Sequence, residues 1–309
     1  MPPAPVTGYL ANIKFNGTIY TQDTILNVLP GTYPVSFVSL YSSNPGAAFL
    51  NWTVVSGSVG STTSSSTTFT ILSGGLSPIL TLNVFLVTSV WAGYAVAGHA
   101  GTVTQVAGSW VQPTMGCNLT KSSKSGVQFS TWVGLDGLWS TNPYIEQIGT
   151  EAVCSPGGAT SYGAWYEFGN GVYPGSVAIT TITPHPADVF SGTVVYNSAT
   201  SNFTMSLTDL TTLASFSITQ PWSSATESSA ECILEQTQPY LASEFWFVGQ
   251  AGFGSMHTGV TNTCDASVRS ALSPFSSFNY LTVEFYSGTS HQQLYPTQLV
   301  GGSFNVNHG

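Results

Sequence analysis

Apolar and polar residues alternate along most of this chain. Short runs rich in Val, Ile, Thr, Tyr and Phe are broken by Gly, Asn, Pro and Ser at intervals of about 8–12 residues. No long segment repeats its apolar positions at the 3.6-residue spacing of an amphipathic helix. Successive side chains of a strand point to opposite faces, so the pattern predicts strands with one buried face, packed as a sandwich. Strands are predicted over residues 9–15, 24–29, 33–40, 49–55, 66–71 and 79–84, with a turn at Pro30 and Gly31 and a polar loop over 56–65. These make a first unit of residues 1–84. From residue 85 to 309 the aromatic density rises, and every acidic residue except Asp23 falls there, so a site is sought in this second unit. The uncharged stretch over 78–98 alternates like a strand and contains Thr81, Asn83, Thr88 and Ser89, which argues against a membrane helix.

Charge changes the picture of the surface. Only 6% of residues are charged, against about 25% in ordinary soluble domains. None lies between Asp23 and Lys121. The net charge at pH 7 is −9, yet in strong acid only four Lys and Arg and five His remain to be positive. Self-repulsion drives acid unfolding, so a chain this poor in bases suits an acidic environment. The same poverty leaves no basic stripe for nucleic acid and no polybasic patch for a membrane. The four cysteines, Cys117, Cys154, Cys232 and Cys264, form no Cys-x-x-Cys pair and no zinc-ligand spacing with His, so no metal is expected. An even number in a Ser/Thr-rich chain suggests two disulfides and an oxidising, extracellular compartment. Cys117 with Cys154 and Cys232 with Cys264 are the local pairings, which spacing alone leaves open. The first five residues are not a signal peptide, so secretion is an expectation from composition.

Familiar hydrolase signals are missing. There is no Asp-Thr-Gly or Asp-Ser-Gly, no His-Glu-x-x-His and no Gly-x-Ser-x-Gly. The run Ser-Gly-Thr-Ser at 287–290 lacks the small-residue helix start that a serine nucleophile loop needs. Four other segments read as strands and carry acids beside aromatics: Trp-Ala-Gly-Tyr-Ala at 91–95, Thr-Trp-Val-Gly-Leu-Asp-Gly at 131–137 followed by Ile-Glu-Gln-Ile-Gly at 145–149, Tyr-Gly-Ala-Trp-Tyr-Glu at 162–167, and Ala-Glu-Cys-Ile-Leu-Glu at 230–235. By parity Trp132 shares a face with Asp136, Trp165 with Glu167, and Glu231 with Glu235. If these faces line one sheet, they form an aromatic-walled acidic groove. Glu146 falls on the face opposite Gln147 and is expected in solvent.

Together these segments resemble the glutamic peptidases, or eqolisins, over roughly residues 88–290. Residues 132–137 match that family's Trp-Val-Gly-Ile-Asp-Gly, Gln147 its Leu-Gln-x-Gly glutamine, 164–167 its Ala-Trp-Tyr-Glu, and 230–235 its Ala-Glu-Trp-Ile-Val-Glu, in the same order. Cys232 departs from the pattern where the family has an aromatic. The resemblance implies an all-β fold, a concanavalin A-like sandwich of two seven-stranded antiparallel sheets; residues 1–84, outside the family pattern, resemble a small Ig-like β-sandwich unit, expected to be a spacer or adhesion module. It implies Gln147 and Glu235 as the catalytic pair, and a substrate cleft including Trp91, Gly93, Trp132, Asp136, Trp165, Glu167 and Glu231. The implied protein is a secreted monomer that cleaves proteins or peptides in acid with no cofactor. Two rivals stand beside it. Glu231 and Glu235 on one strand are arranged as in some concanavalin-like glycosidases, although their Cα atoms start about 13 Å apart and a retaining pair needs carboxyls about 5 Å apart. A lectin-like binding module would need no Gln147.

Overall fold

The computed structural model describes residues 11–20, 24–39, 46–74, 77–88, 90–117, 127–138, 144–155, 158–169, 175–238, 246–248, 251–254, 263–287 and 291–308. Residues 9, 10 and 40 of the predicted strands, and 288–290 of the serine run, lie outside them. The chain divides into two compact units, Met1–Val87 and Thr88–Gly309. Among the described residues the only helix is a single 3-10 turn at Phe275–Ser277, and no helix is long and apolar enough to cross a membrane.

The first unit holds β1 (Ala11–Phe15), β2 (Thr18–Tyr20), β3 (Gly31–Ser39), β4 (Gly46–Val55), β5 (Ser58–Val59), β6 (Ser66–Ile71) and β7 (Ile79–Thr88). Five of them form an antiparallel sheet in the order β2-β1-β3-β6-β5, while β4 pairs with β7. Phe15, Val35, Trp52 and Phe69 make the core between them. The strand predicted over 24–29 is absent. Ile25 is 97% exposed and Leu29 80%, and only Leu26 of the run packs against the core, so it presents no alternating buried face and takes up no ladder.

The second unit contains β8 (Trp91–Ala97), β9 (Val103–Val111), β10 (Thr114–Gly116), β11 (Val127–Asp136), β12 (Ile145–Cys154), β13 (Thr160–Gly169), β14 (Val177–Ala178), β15 (Val189–Asn197), β16 (Asn202–Asp209), β17 (Ser215–Pro221), β18 (Ser229–Gln238), β19 (Trp246–Val248), β20 (Ala251–Phe253), β21 (Asp265–Val268), β22 (Ser273–Pro274), β23 (Tyr280–Ser287), β24 (His291–Pro296) and β25 (Phe304–His308). A front sheet runs β13-β12-β11-β18-β8-β23-β24. A back sheet runs β17-β16-β15-β9, with β20 and β21 both on the far side of β9. The expected antiparallel sandwich forms, and its two sheets are joined at one side. β24 pairs with β25, and β25 with β20, so hydrogen bonding carries the front sheet round into the back one. A curl of this kind leaves fewer open edges than two separate sheets.

Alternation puts Val133, Leu135, Ile148, Cys232 and Leu234 of the front sheet against Val106, Trp110, Phe190, Val194 and Phe203 of the back sheet. The buried Trp110 indole crosses this core and donates Nε1–H to Thr150 Oγ1 at 2.8 Å, which satisfies its one polar atom. Both local disulfides form, Cys117–Cys154 and Cys232–Cys264. The second ties β18 of the front sheet to the residue preceding β21 of the back sheet. Cys232, where the resembling family carries an aromatic, is therefore a staple inside the core.

Candidate active site

Antiparallel partners project to the same face, and the register arranges five strands of the front sheet into rows. In strand order β13, β12, β11, β18 and β8, the middle row is Trp165, Gly149, Trp132, Ile233 and Gly93. Two residues along lies Glu167, Gln147, Gly134, Glu231 and Ala95. Two residues the other way lies Gly163, Glu151, Ser130, Glu235 and Trp91. Because the side-chain period is two, all three rows share the face turned away from the core. Eight of the nine residues singled out from sequence fall in these rows, and Asp136 follows two positions after Gly134 on β11. Gln147 and Glu235 sit at opposite ends of a diagonal through Trp132. A sheet with right-handed twist is concave along one diagonal and convex along the other.

Glycines shape this face. A Cβ on Gly149 would lie 2.6 Å from Trp132 Cβ and would strike the Thr131 carbonyl oxygen; one on Gly134 would meet the benzo edge of the Trp132 indole at 3.0 Å. The indole thus lies against bare backbone, with its ring beside Gly134 and its N–H toward Glu235. Trp132 Nε1 donates to Glu235 Oε2 at 2.9 Å. Trp91 packs edge-on against it, the ring centroids 5.1 Å apart and the planes at 76°.

Glu235 is half-buried. Loss of water around its carboxyl pushes its pKa up to about 7; the indole N–H groups of Trp91 and Trp132 hold it down, and the charge of Glu167 adds to the rise. At the other end of the diagonal, Gln147 Nε2 donates to Glu167 Oε2 at 2.9 Å, and both residues are 7% exposed. Gln147 Oε1 and the Trp165 indole N–H are buried with no hydrogen-bond partner among the described residues. Gln147 thus keeps an acceptor that no described residue engages.

Two acids of the face are closed to solvent. Asp136 accepts five hydrogen bonds from a single turn: from the backbone N–H groups of Thr226, Glu227 and Ser228 and from the hydroxyls of Thr226 and Ser228, all at 2.7–3.0 Å. It straps that turn to the end of β11. Glu231 is 0% exposed, and neither oxygen has a well-formed hydrogen bond among the described residues. Burial, with Asp136 and Glu146 nearby, drives its pKa well up against a weaker opposing contact from Ser229. Glu146, expected in solvent, is also 0% exposed. The face opposite Gln147 is the inside of the sandwich, where Glu146 lies between Leu135 and Phe168. Burial, then Asp136 and Glu227, raise it well above the ordinary range.

Sequence reading missed Glu151 and Ser130. Parity from Gln147 through Gly149 reaches Glu151, and the register sets it across Ser130 from Glu235. Gln128 donates to its carboxyl, and Gly163 opposite it leaves room, since a Cβ there would meet Glu151 Oε1 at 2.8 Å. No group of three or more His, Cys, Asp or Glu among the described residues has the arrangement of a metal site.

The outer face of the front sheet thus gathers a half-buried glutamate, a glutamine held by Glu167 and three tryptophans. The model of the peptidase A4 family matches residues 89–293, about two thirds of the chain. The chain belongs to the peptidase A4 family: it is a glutamic endopeptidase, and its substrates are proteins or peptides. Among solved structures, scytalido-glutamic peptidase with a transition-state-analogue inhibitor superposes with a TM-score of 0.55 at 19% identity, covering 72% of this chain and 98% of that one. SCP-B, an eqolisin in complex with the tripeptide Ala-Ile-His, gives 0.51 at 17% identity with the same coverage. At these identities the likeness is one of fold. No curated protein sequence matches the chain significantly.

Proposed function

We propose that Glu235 and Gln147 cleave the peptide bond. Glu235, ionised, takes a proton from a water whose oxygen attacks the scissile carbonyl carbon. Gln147 accepts from that water through Oε1 and donates its free N–H to the oxygen that becomes negative. Glu235 then returns the proton to the leaving nitrogen as the C–N bond breaks. Half-buried Trp91 lies against the bound chain, and the buried rings of Trp132 and Trp165 support the face beneath it. The observation that carries this reading is the anchoring of both groups on one face: Glu235 by the Trp132 indole and Gln147 by Glu167. A two-carboxylate glycosidase is less well supported, because Glu231 has no exposure to share in catalysis.

A base at about 7 is only slightly ionised in acid. Hydrogen bonds donated by a bound water or substrate N–H favour its charged form and bring it down. The buried acids and the scarcity of Lys and Arg favour the folded state at low pH. We therefore assign the enzyme to acidic surroundings outside the cell, acting as a monomer, with the first unit as a spacer or adhesion module. Digestion of a denatured protein between about pH 2 and pH 7 tests this, with wild type, Gln147→Ala and Glu235→Gln in parallel. Both variants should be inactive while folded, and wild-type activity should peak below neutrality. Full cleavage by Gln147→Ala sinks the pair; activity that keeps climbing through neutral pH sinks the acid assignment.

A further inference from the structure

A glutamine amide has a donor end and an acceptor end of nearly the same shape, and a half-turn about its last bond exchanges them. Catalysis by Gln147 needs one orientation, so something must choose it. Glu167 is its direct partner across the β12–β13 ladder, equally buried, and receives Nε2–H at 2.9 Å. A carboxylate only accepts. The flipped amide would set its carbonyl oxygen against that carboxylate, with no solvent to relieve the clash. On the other flank Gly134 has no side chain, and the orphaned Oε1 makes no competing bond among the described residues. One amide hydrogen is then committed to Glu167, and the second hydrogen and Oε1 are left for the reacting centre.

We propose that Glu167 is a positioning residue of the peptidase reaction, fixing the Gln147 amide in the one orientation that offers both an N–H and a carbonyl oxygen to the scissile bond. This rests on the pairing of Gln147 with Glu235 proposed above. The same carboxyl has a second effect, since its charge is among the causes that raise Glu235. The other ionisable groups facing this pair are Glu235 and Glu231 from β18, Asp136 from β11 and Glu151 from β12, all acids. The rows contain no Lys, Arg or His to offset them.

Steady-state kinetics on a fluorogenic peptide, across pH, separate the possibilities with Glu167→Leu, Glu167→Gln and Gln147→Ala. Glu167→Leu should lose about 100-fold in kcat, the scale of losing one oriented oxyanion donor, with KM within about threefold of wild type. Glu167→Gln is nearly isosteric and its amide oxygen accepts the same bond. It should keep kcat within about tenfold of wild type, and the acid limb of kcat/KM should move to lower pH because a charge repelling ionised Glu235 is gone. Thermal unfolding in acid checks that each variant is folded, and the Gln variant serves if the Leu variant is not. Wild-type kcat in Glu167→Leu, or a loss confined to KM, overturns the proposal. So does a Gln variant as impaired as the Leu variant with an unmoved acid limb. If Gln147→Ala is inactive while Glu167→Leu is normal, this inference alone fails; if Gln147→Ala is fully active, the catalytic pair itself is wrong.

Discussion

Trp132 joins what is otherwise a scattered set of residues. It is fully buried, lies against Gly134, meets Trp91 edge to face and gives its one hydrogen-bond donor to Glu235. The ring fixes where the carboxyl sits, and the N–H favours its ionised form. Trp132→Phe keeps most of the ring and removes the donor. A hydrogen bond to a charged group contributes about 1.5–3 kcal/mol, so kcat/KM should fall about 10- to 100-fold. The acid limb of the profile should also move to higher pH, because the charged base has lost a stabilising partner. A pH–rate series on the two proteins measures both effects, and an unmoved limb would show that the indole acts by packing alone.

At the scale of elements, β11 organises the site because it lies between β12, which carries Gln147, and β18, which carries Glu235. Its last residue, Asp136, holds the turn that leads into β18. Asp136→Ala would take the acceptor from three backbone N–H groups in a partly buried turn and leave its two hydroxyls bonded to each other, costing about 3 kcal/mol. Urea unfolding in acid should show the lower midpoint, and a drop in kcat should accompany it as β18 loses its anchored start. Much of this was legible beforehand. Alternation gave the faces of β11, β12, β13 and β18, and the motif order gave Gln147 and Glu235 their neighbours. What covers a face is another matter. Glu146 was correctly set opposite Gln147, yet that side is the sandwich core, which only the packing of β9 and β15 behind it decides. Residues 24–29 had strand composition but no partner strand to bury them. Glu151 obeyed the same parity as Gln147 and was hidden only because its relation to Glu235 runs through register, two strands away.

For the whole molecule, the balance of acids sets the conditions under which it stays folded. Glu146 and Glu231 are fully buried, their oxygens have no well-formed hydrogen bond among the described residues, and the carboxyl of Asp136 is a common neighbour. Glu146 also feels Glu227, and Glu231 feels Glu146; the backbone of Glu146 opposes the first rise and the Ser229 side chain the second. Both glutamates are driven well above the ordinary value of 4.5, by burial first and by those charges second. The folded protein therefore holds two protons that the unfolded chain releases above about pH 4.5. Below that pH both states carry them and the fold keeps its full stability. Above it, each group lowers stability by about 1.4 kcal/mol per pH unit until the raised folded value is passed. Denaturant unfolding followed from acid to neutral pH should thus give a midpoint that falls steadily on the alkaline side. The double variant Glu146→Gln, Glu231→Gln cannot ionise at either position, so its midpoint should fall much less over the same range, whatever its stability in acid. Equal slopes for the two proteins would remove these glutamates as the cause. A flattened slope would make them the reason stability falls as pH rises, while ionisation of Glu235 draws activity toward higher pH, so that the working range would lie where the two limits overlap.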